Sequence, residues 1–190
     1  MLSQVKTRAI VILAPIILAI IFSSCGVTLE QSYYDEDFQG DVMPTTSKTL
    51  CCNDEGECVV GWALWTRNTL YLVLQLQYSA ANHHRFEMPQ GDYLSFDFAD
   101  GSTYHLVNSS AVRSRRGSVQ GEADQYANVY IPLSNDDVNA LLSKPIVGLN
   151  VQTNTRNSRF TIKSNKDAAI KKMINLLQPT APILKLPRIR

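Results

Sequence analysis

Three cysteines lie close together in the first half of the chain, at Cys51, Cys52 and Cys58. In an oxidising compartment such thiols form disulfide bonds. A bond from Cys51 or Cys52 to Cys58 would close the acidic loop 53–57, whereas a bond between the adjacent Cys51 and Cys52 would be strained. We therefore predict a local disulfide that uses Cys58, with its partner left open. The remaining thiol is then either a free buried cysteine or part of an intermolecular bridge.

Metal binding is a second chemistry open to these thiols, because the adjacent His83 and His84 could add nitrogen ligands. Zinc sites of this kind are usually built from two Cys-x-x-Cys pairs, which the chain lacks. Neighbouring histidines in a strand also point to opposite faces. The sequence therefore predicts no metal site and no cofactor.

Hydrolytic chemistry has only weak candidates. Asp97, Asp100 and His105 lie close together in the sequence and could meet on one polar face. The chain has no His-Glu-x-x-His, no Gly-x-Ser-x-Gly and no Gly-rich phosphate loop, and residues 117–121 have the wrong spacing for a nucleophile turn. We predict no catalytic residues and leave the question of an enzyme open, leaning against one.

Anion binding has a better candidate in Arg113, Arg115 and Arg116, which fall within a predicted long connection over residues 107–125. Guanidinium groups bind phosphate and carboxylate through paired hydrogen bonds. Loops that are longer than is needed to join two strands often have a function. These arginines are therefore a candidate anion-binding or glycan-binding site, and a solvated polar loop is the alternative.

The fourth cysteine, Cys25, follows a segment with the order of a signal peptide. Residues 1–8 carry Lys6 and Arg8 and no acid, residues 9–22 are apolar, and two serines follow. The apolar run is shorter than the roughly 20 residues that span a bilayer. We therefore predict that residues 1–24 are a cleaved export signal.

Cys25 itself stands where a lipoprotein precursor is acylated and cut, directly after two small residues. The stretch Phe22-Ser23-Ser24-Cys25 resembles the bacterial lipobox, with Phe22 where Leu is usual. The resemblance implies lipidation of Cys25, with palmitate among the acyl chains, and stable anchoring needs more than one chain. Because Gly26 is not the Asp that retains some lipoproteins in the inner membrane, we expect the outer membrane, on its periplasmic or surface side.

The mature chain is predicted to contain one folded domain. Acidic residues dominate from Glu30 to Glu57, where Lys48 is the only base. This stretch has no strand or helix period, so residues 25–47 are predicted to form a lipidated, solvated tether. Residues 48–178 are predicted to form a strand-rich globular domain, and residues 179–190, with three prolines, an extended basic tail.

Alternating patterns predict two hairpins in the domain. Residues 58–65 and 69–78 flank the short link 66–68, and the second strand places leucines on one face. Residues 93–99 and 103–107 flank Asp100-Gly101, a short-turn sequence. Further strands are predicted at 125–133, 146–153 and 159–163.

Two helices complete the predicted elements. Ser134 with Asp137, and Ser164 with Asp167, match the capping-box pattern at the starts of helices 135–143 and 165–177. The second helix has an apolar stripe that can pack on a sheet. The fold class is therefore α+β, with antiparallel hairpins forming a sheet or sandwich, one short helix and a packed C-terminal helix.

Residues 93–177 resemble uncharacterised small lipoproteins of Bacteroidetes-type cell envelopes. The resemblance depends on Phe96-Asp97-Phe98-Ala99-Asp100-Gly101-Ser102, Tyr130-Ile131-Pro132-Leu133-Ser134, Val151-Gln152-Thr153 and Phe160-Thr161-Ile162. It implies location and fold, and it supplies no functional residues.

These observations predict a membrane-anchored lipoprotein of the bacterial cell envelope that acts as a non-enzymatic binding or structural module. Its expected partners are the membrane, through the lipid, and an envelope protein or glycan. Nucleic acid is excluded because the formal net charge is only +1 and the protein is exported. The alternative is an envelope hydrolase that acts on glycan or lipid through Asp97, Asp100 or His105.

Overall fold

A computed structural model describes residues 26–79, 85–117 and 123–178 of the chain. Over these residues the chain forms two antiparallel sheets, one short strand pair and two helices. The strands are β1 Tyr33–Asp35, β2 Gly40–Pro44, β3 Lys48–Cys52, β4 Cys58–Thr66, β5 Thr69–Ser79, β6 Glu87–Met88, β7 Tyr93–Phe98, β8 Thr103–Val107, β9 Val112–Arg113, β10 Arg115–Arg116, β11 Ala123–Leu133, β12 Ile146–Gln152 and β13 Asn157–Thr161, and the helices are α1 Asn135–Ser143 and α2 Ser164–Leu177.

The larger sheet has the strand order β1-β2-β4-β5-β11-β10, with β3 also paired to β4. Its centre is the predicted hairpin of β4 and β5. Arg67 and Asn68 form its turn with positive φ angles of 46° and 62°, the conformation that a two-residue hairpin turn requires. The leucines of β5 alternate onto the buried side, and Val73 on the other side is also fully buried. Both faces of this sheet are therefore covered at its centre.

The smaller sheet has the order β13-β12-β7-β8. The hairpin predicted around Asp100-Gly101 is confirmed, and Gly101 has a φ of 83° in a short loop closed by a bond of 2.8 Å from Phe98 N to Ser102 O. One hydrophobic cluster joins both sheets to α1 and α2. The predicted α+β class is confirmed, since two antiparallel sheets share one core with the C-terminal helix.

The two helix starts differ from one another. At α1 the capping box is present, because Ser134 Oγ accepts from Asp137 N and Ser134 N donates to Asp137. At α2 the predicted box is absent: Lys163 is the N-cap and makes no side-chain cap bond. Asp167 instead accepts a hydrogen bond of 3.2 Å from Ile146 N, which ties α2 to the smaller sheet.

The predicted tether needs correction. Val27 and Val42 are each only 1% exposed, and β2 pairs with β4 in the larger sheet. Backbone bonds from Glu30 N to Pro44 O and from Thr46 N to Thr28 O close this segment on itself. The acids within residues 26–47 lie at exposed or half-exposed positions, between the few apolar residues that pack inward. The folded domain therefore begins by Val27, not near Lys48.

The predicted long connection over residues 107–125 also needs correction. It contains β9, which pairs with β6, and β10, which pairs with β11. Strands of two residues are too short to show an alternating pattern, so they could not be predicted from periodicity. The export signal, Cys25, His83, His84, most of 117–121 and the tail 179–190 lie outside the described residues.

Neither α1 nor α2 combines the length and apolar character that a bilayer-crossing helix needs, and the described residues include no other helix.

Burial of Val42 gives a direct test of the corrected boundary. We expect Val42→Ala to lower the free energy of unfolding by about 2 kcal/mol, because two buried methyl groups are lost. Val107→Ala is the matched control, since Val107 is 57% exposed; its effect should stay within about 0.5 kcal/mol. Equal, negligible effects in urea unfolding would show that residues 26–47 do not belong to the folded domain.

Candidate functional site

The side of the larger sheet that faces away from the core carries aromatic and amide side chains. We call this side the outer face. The register aligns Gln75 with Asn128 and Gln77 with Tyr126, so β5 and β11 present these side chains together. The half-buried members of the outer face are Trp62, Tyr71, Gln75, Gln77, Tyr126, Asn128 and Tyr130.

A row of side-chain hydrogen bonds crosses the outer face. Gln77 Nε2 donates to Gln75 Oε1 at 2.7 Å, and Gln75 Nε2 donates to Asn128 Oδ1 at 3.0 Å. A longer bond of 3.5 Å continues from Asn128 Nδ2 to Tyr130 Oη. Because each amide in the row orients the next, the donors and acceptors that remain have fixed directions.

The hairpin of β1 and β2 folds over the outer face. At its tip, the ring of Phe38 packs edge-on against Tyr71 and Tyr130, with centroid distances of 5.2 Å and 5.5 Å. Arg67 holds the same tip through a bond of 3.0 Å to Gln39 O. Clefts with different chemistry lie on the outer face near this hairpin.

The aromatic cleft has a volume of about 310 Å³. Trp62, Gln75 and Gln77 form its floor, and Tyr33, which is 51% exposed, stands at its side. Partial burial is the main cause of a raised pKa of Tyr33, and the negative charge of the nearby Asp35 adds to it. The hydroxyl of Tyr33 therefore stays protonated and can donate a hydrogen bond. The rest of the lining comes from Glu30, Pro44, Thr45, Ser47 and Val60.

The arginine cleft has a volume of about 230 Å³ and contains part of the predicted anion site. Arg113 and Arg115 line it together with Tyr126, Asn128 and Asp37. Arg113 Nε is also 3.0 Å from Glu87 Oε1, yet its side chain remains 81% exposed. The structure therefore brings two of the three predicted arginines together.

Arg116 occupies the next position of β10, opposite Gln125, and is exposed. Side chains alternate along a strand, so Arg116 lies on the side away from Arg115. The arginine cleft therefore has two guanidinium groups rather than three.

The residues proposed for the alternative hydrolase have separate partners. Asp97 accepts from Asn150, Thr103 and Arg159, and the bond from Asn150 is the main reason that the pKa of Asp97 is lowered. The bond of Lys144 to Asp100, at 2.7 Å, lowers the pKa of Asp100 in the same direction. A general acid needs a raised pKa, so these carboxylates are poor proton donors near neutral pH.

His105 completes that set and is also engaged elsewhere. Its Nδ1 lies 2.8 Å from Ser95 Oγ, and its ring packs against Tyr93 with centroids 4.7 Å apart. Ser95 and His105 are opposite each other in the hairpin, whereas Asp97 is opposite Thr103. The three residues share a hairpin without forming one catalytic arrangement.

The predicted disulfide forms between Cys52 and Cys58, which lie opposite each other on β3 and β4 with Cα atoms 4.1 Å apart. Cys51 is the leftover thiol; it is buried, and burial raises its pKa to about 12. A thiol so seldom ionised is a poor nucleophile and a poor metal ligand. Within the described ranges, no group of three His, Cys, Asp or Glu side chains could hold a metal ion.

The loop closed by this disulfide contains a buried ion pair. Glu57 is 1% exposed, binds Asn53 Nδ2 at 2.7 Å and forms a short ion pair with Arg156. The Arg156 guanidinium also lies 5.3 Å from the centroid of Tyr78. This cluster fixes the loop between β12 and β13 to the larger sheet and has a structural role.

No family model, curated protein or solved structure matches this chain. The candidate site therefore has to be judged on its own geometry. Sequence patterns did not single out Trp62, Tyr33, Gln75 or Gln77, although the outward positions of β5 gave the two glutamines as polar members of an alternating strand. The structure adds the tryptophan and the tyrosine that make this polar side a cleft.

The pair of Arg156 with the buried Glu57 and the exposed pair of Arg113 with Glu87 give a matched comparison of burial. We expect Arg156→Ala to lower the free energy of unfolding by about 3 kcal/mol, because it leaves the carboxylate of Glu57 buried without its partner. Arg113→Ala breaks an exposed pair and should cost less than about 1 kcal/mol. Thermal and urea unfolding measure both. A similar small loss in the two variants would remove the structural role assigned to Arg156.

Proposed function

We propose that this protein is a lipid-anchored protein of the bacterial cell envelope, exported through residues 1–24 and acylated at Cys25. Its folded domain is a non-enzymatic module that binds an envelope glycan at the outer face of the larger sheet. We propose the outer membrane as its location, because the residue after Cys25 is Gly26 and not the Asp that retains some lipoproteins in the inner membrane.

The observation that carries this proposal is the burial of Val27, two residues after Cys25, in a core made of residues that follow the predicted cleavage site. Val27 is 1% exposed, and the described core is built from Val27 onward. Cleavage ahead of Cys25 removes none of those core residues. Processing at the lipobox would therefore leave the described core complete, which supports the proposal.

The chemistry of the two clefts supports a glycan as ligand. Sugar rings present C–H groups to aromatic faces and hydroxyl groups to amides, and Trp62, Tyr33 and the amide row supply both kinds of contact. Arg113 and Arg115 add guanidinium groups that suit a carboxylate or phosphate. The bond between Gln75 and Asn128 connects the floors of the clefts, so an acidic oligosaccharide could contact both.

The hydrolase alternative has less support. Asp97, Asp100 and His105 each have a different partner, and the pKa shifts of the two carboxylates oppose proton donation. The geometry therefore favours binding over catalysis at this hairpin.

Acylation is tested by labelling cells that express the protein with radioactive palmitate. Wild type should incorporate label and fractionate with the outer membrane, and Cys25→Ala should do neither. Cys51→Ala is the matched control and should label like wild type, because Cys51 is buried. Equal labelling of wild type and Cys25→Ala would end the proposal of a lipid anchor.

Glycan binding is tested on a printed array of defined acidic and neutral oligosaccharides, followed by calorimetry on the acidic saccharide that binds best. We expect Trp62→Ala to weaken binding about tenfold, taking as a guide the loss of about 1–3 kcal/mol when an aromatic ring that stacks on a nucleobase is removed. Arg115→Ala should weaken acidic saccharides only. Val107→Ala, a change on an exposed strand of the other sheet, should bind like wild type. Binding of no saccharide on the array would contradict the assignment.

A further inference from the structure

The start of the folded domain leaves almost no chain between Cys25 and the protein surface. The hydroxyl of Thr46 donates to Gly26 O at 3.5 Å, and Thr46 Oγ1 accepts a hydrogen bond of 3.0 Å from Thr28 N. Val27 lies between them and is 1% exposed. Because successive Cα atoms are about 3.8 Å apart, Cys25 must lie within one residue of this fixed segment. Acyl chains on Cys25 would then enter the bilayer beside the domain itself.

The surface next to Gly26 carries lysines. A Cβ atom placed on Gly26 would lie 3.2 Å from Lys48 Nζ, so this ammonium group is adjacent to the anchor residue. Lys166 Nζ donates to Thr49 O at 2.7 Å, one residue further along β3. Lys163 is exposed and lies one helical turn before Lys166, whose backbone N–H binds Lys163 O. We call Lys48, Lys163 and Lys166 the anchor patch.

The described acidic side chains nearest to the anchor patch do not form ion pairs with its lysines. Asp167, at the start of the same helix, binds Ile146 N and lies 3.1 Å from Lys171 Nζ. Glu30, on the neighbouring stretch, lines the aromatic cleft. Among the described residues, none of the three lysines of the anchor patch is in an ion pair. Their charges are therefore open to an external anion.

We propose that the anchor patch binds the phosphate groups of anionic phospholipids in the membrane that holds the acyl chains, so that the domain docks directly on the bilayer. This inference depends on the proposed acylation of Cys25 for its place in the cell. It replaces the expected arrangement, in which a flexible tether holds the domain off the membrane. It also brings the aromatic cleft close to the membrane surface, because Thr45 and Ser47, which line the cleft, lie between β2 and β3 directly before Lys48.

The contribution of the anchor patch is measurable because one acyl chain alone gives only marginal, reversible membrane binding. The mature chain, beginning at Cys25, is coupled through the Cys25 thiol to a single maleimide-linked acyl chain. Cys51 is buried and rarely ionised, so coupling is directed to Cys25. Partitioning is then measured by flotation with vesicles of phosphatidylcholine, with and without phosphatidylglycerol.

We expect phosphatidylglycerol to increase partitioning of the wild-type chain about 100-fold, from roughly fivefold for each lysine near an anionic surface. The triple variant Lys48→Gln, Lys163→Gln and Lys166→Gln should lose most of that increase. The matched control is Arg85→Gln, Arg116→Gln and Lys144→Gln, which removes the same charge from surface residues outside the anchor patch and outside both clefts. This control should partition like wild type.

A second variant separates loss of charge from loss of structure. Lys48→Arg, Lys163→Arg and Lys166→Arg keeps the positive charges and should keep the preference for phosphatidylglycerol, and high salt should abolish it. Equal losses in the two glutamine triples would show a net-charge effect and overturn the proposal, as would no loss in either. Because coupling is chemical, this result is independent of whether cells acylate Cys25, which the palmitate experiment decides.

Discussion

Strand β4 is hydrogen-bonded along both edges, and the positions of the other functional elements depend on that pairing. One edge pairs with β5 over the whole strand, and the other is shared by β3 and β2. Thr45 joins the two shorter strands at Ala63, where its backbone N–H and its hydroxyl oxygen complete the ladder. Gly61 is required beside this junction, because a Cβ there would lie 2.5 Å from Leu50 Cδ1. The corner between β2 and β3 is therefore tightly fixed.

That fixed corner determines where both proposed surfaces lie. Thr46, within the corner, binds Gly26 and Thr28 and so holds the residue that follows the proposed acylation site against the domain. Thr45 and Ser47, at alternate positions, line the aromatic cleft on the outer face. Membrane attachment and ligand binding would thus be built on the two sides of one short segment. The distance between them is set by the sheet rather than by a linker.

Local sequence patterns were sufficient to predict the strands and helices that have a strong periodicity. The two hairpins, the cap of α1 by Ser134 and the stripe of α2 that includes Ile170 and Met173 all followed from spacing and turn residues. The pairing of Cys58 was limited to two partners, and the structure selects Cys52 because it lies directly opposite Cys58 on the neighbouring strand.

Features that depend on contacts between distant residues could not be predicted in this way. The acids around Val42 concealed a strand, because a single buried residue between charged ones has no visible period. The ion pair of Glu57 and Arg156 joins residues 99 positions apart, and no local rule connects them. The same holds for Gly26 and Lys48, whose proximity depends on the fold of β3 against β4.

Residues 26–47 belong to the folded domain and hold Gly26, the residue after the proposed acylation site, against it. Hydrogen–deuterium exchange of the backbone amides of Glu30, Thr45 and Thr46 tests this most directly, because these amides donate bonds of 2.8–2.9 Å within the corner. The account predicts that they exchange as slowly as amides in the centre of β4 and β5. Exchange at the rate of an unstructured chain would show that this segment is a flexible tether and would contradict the account.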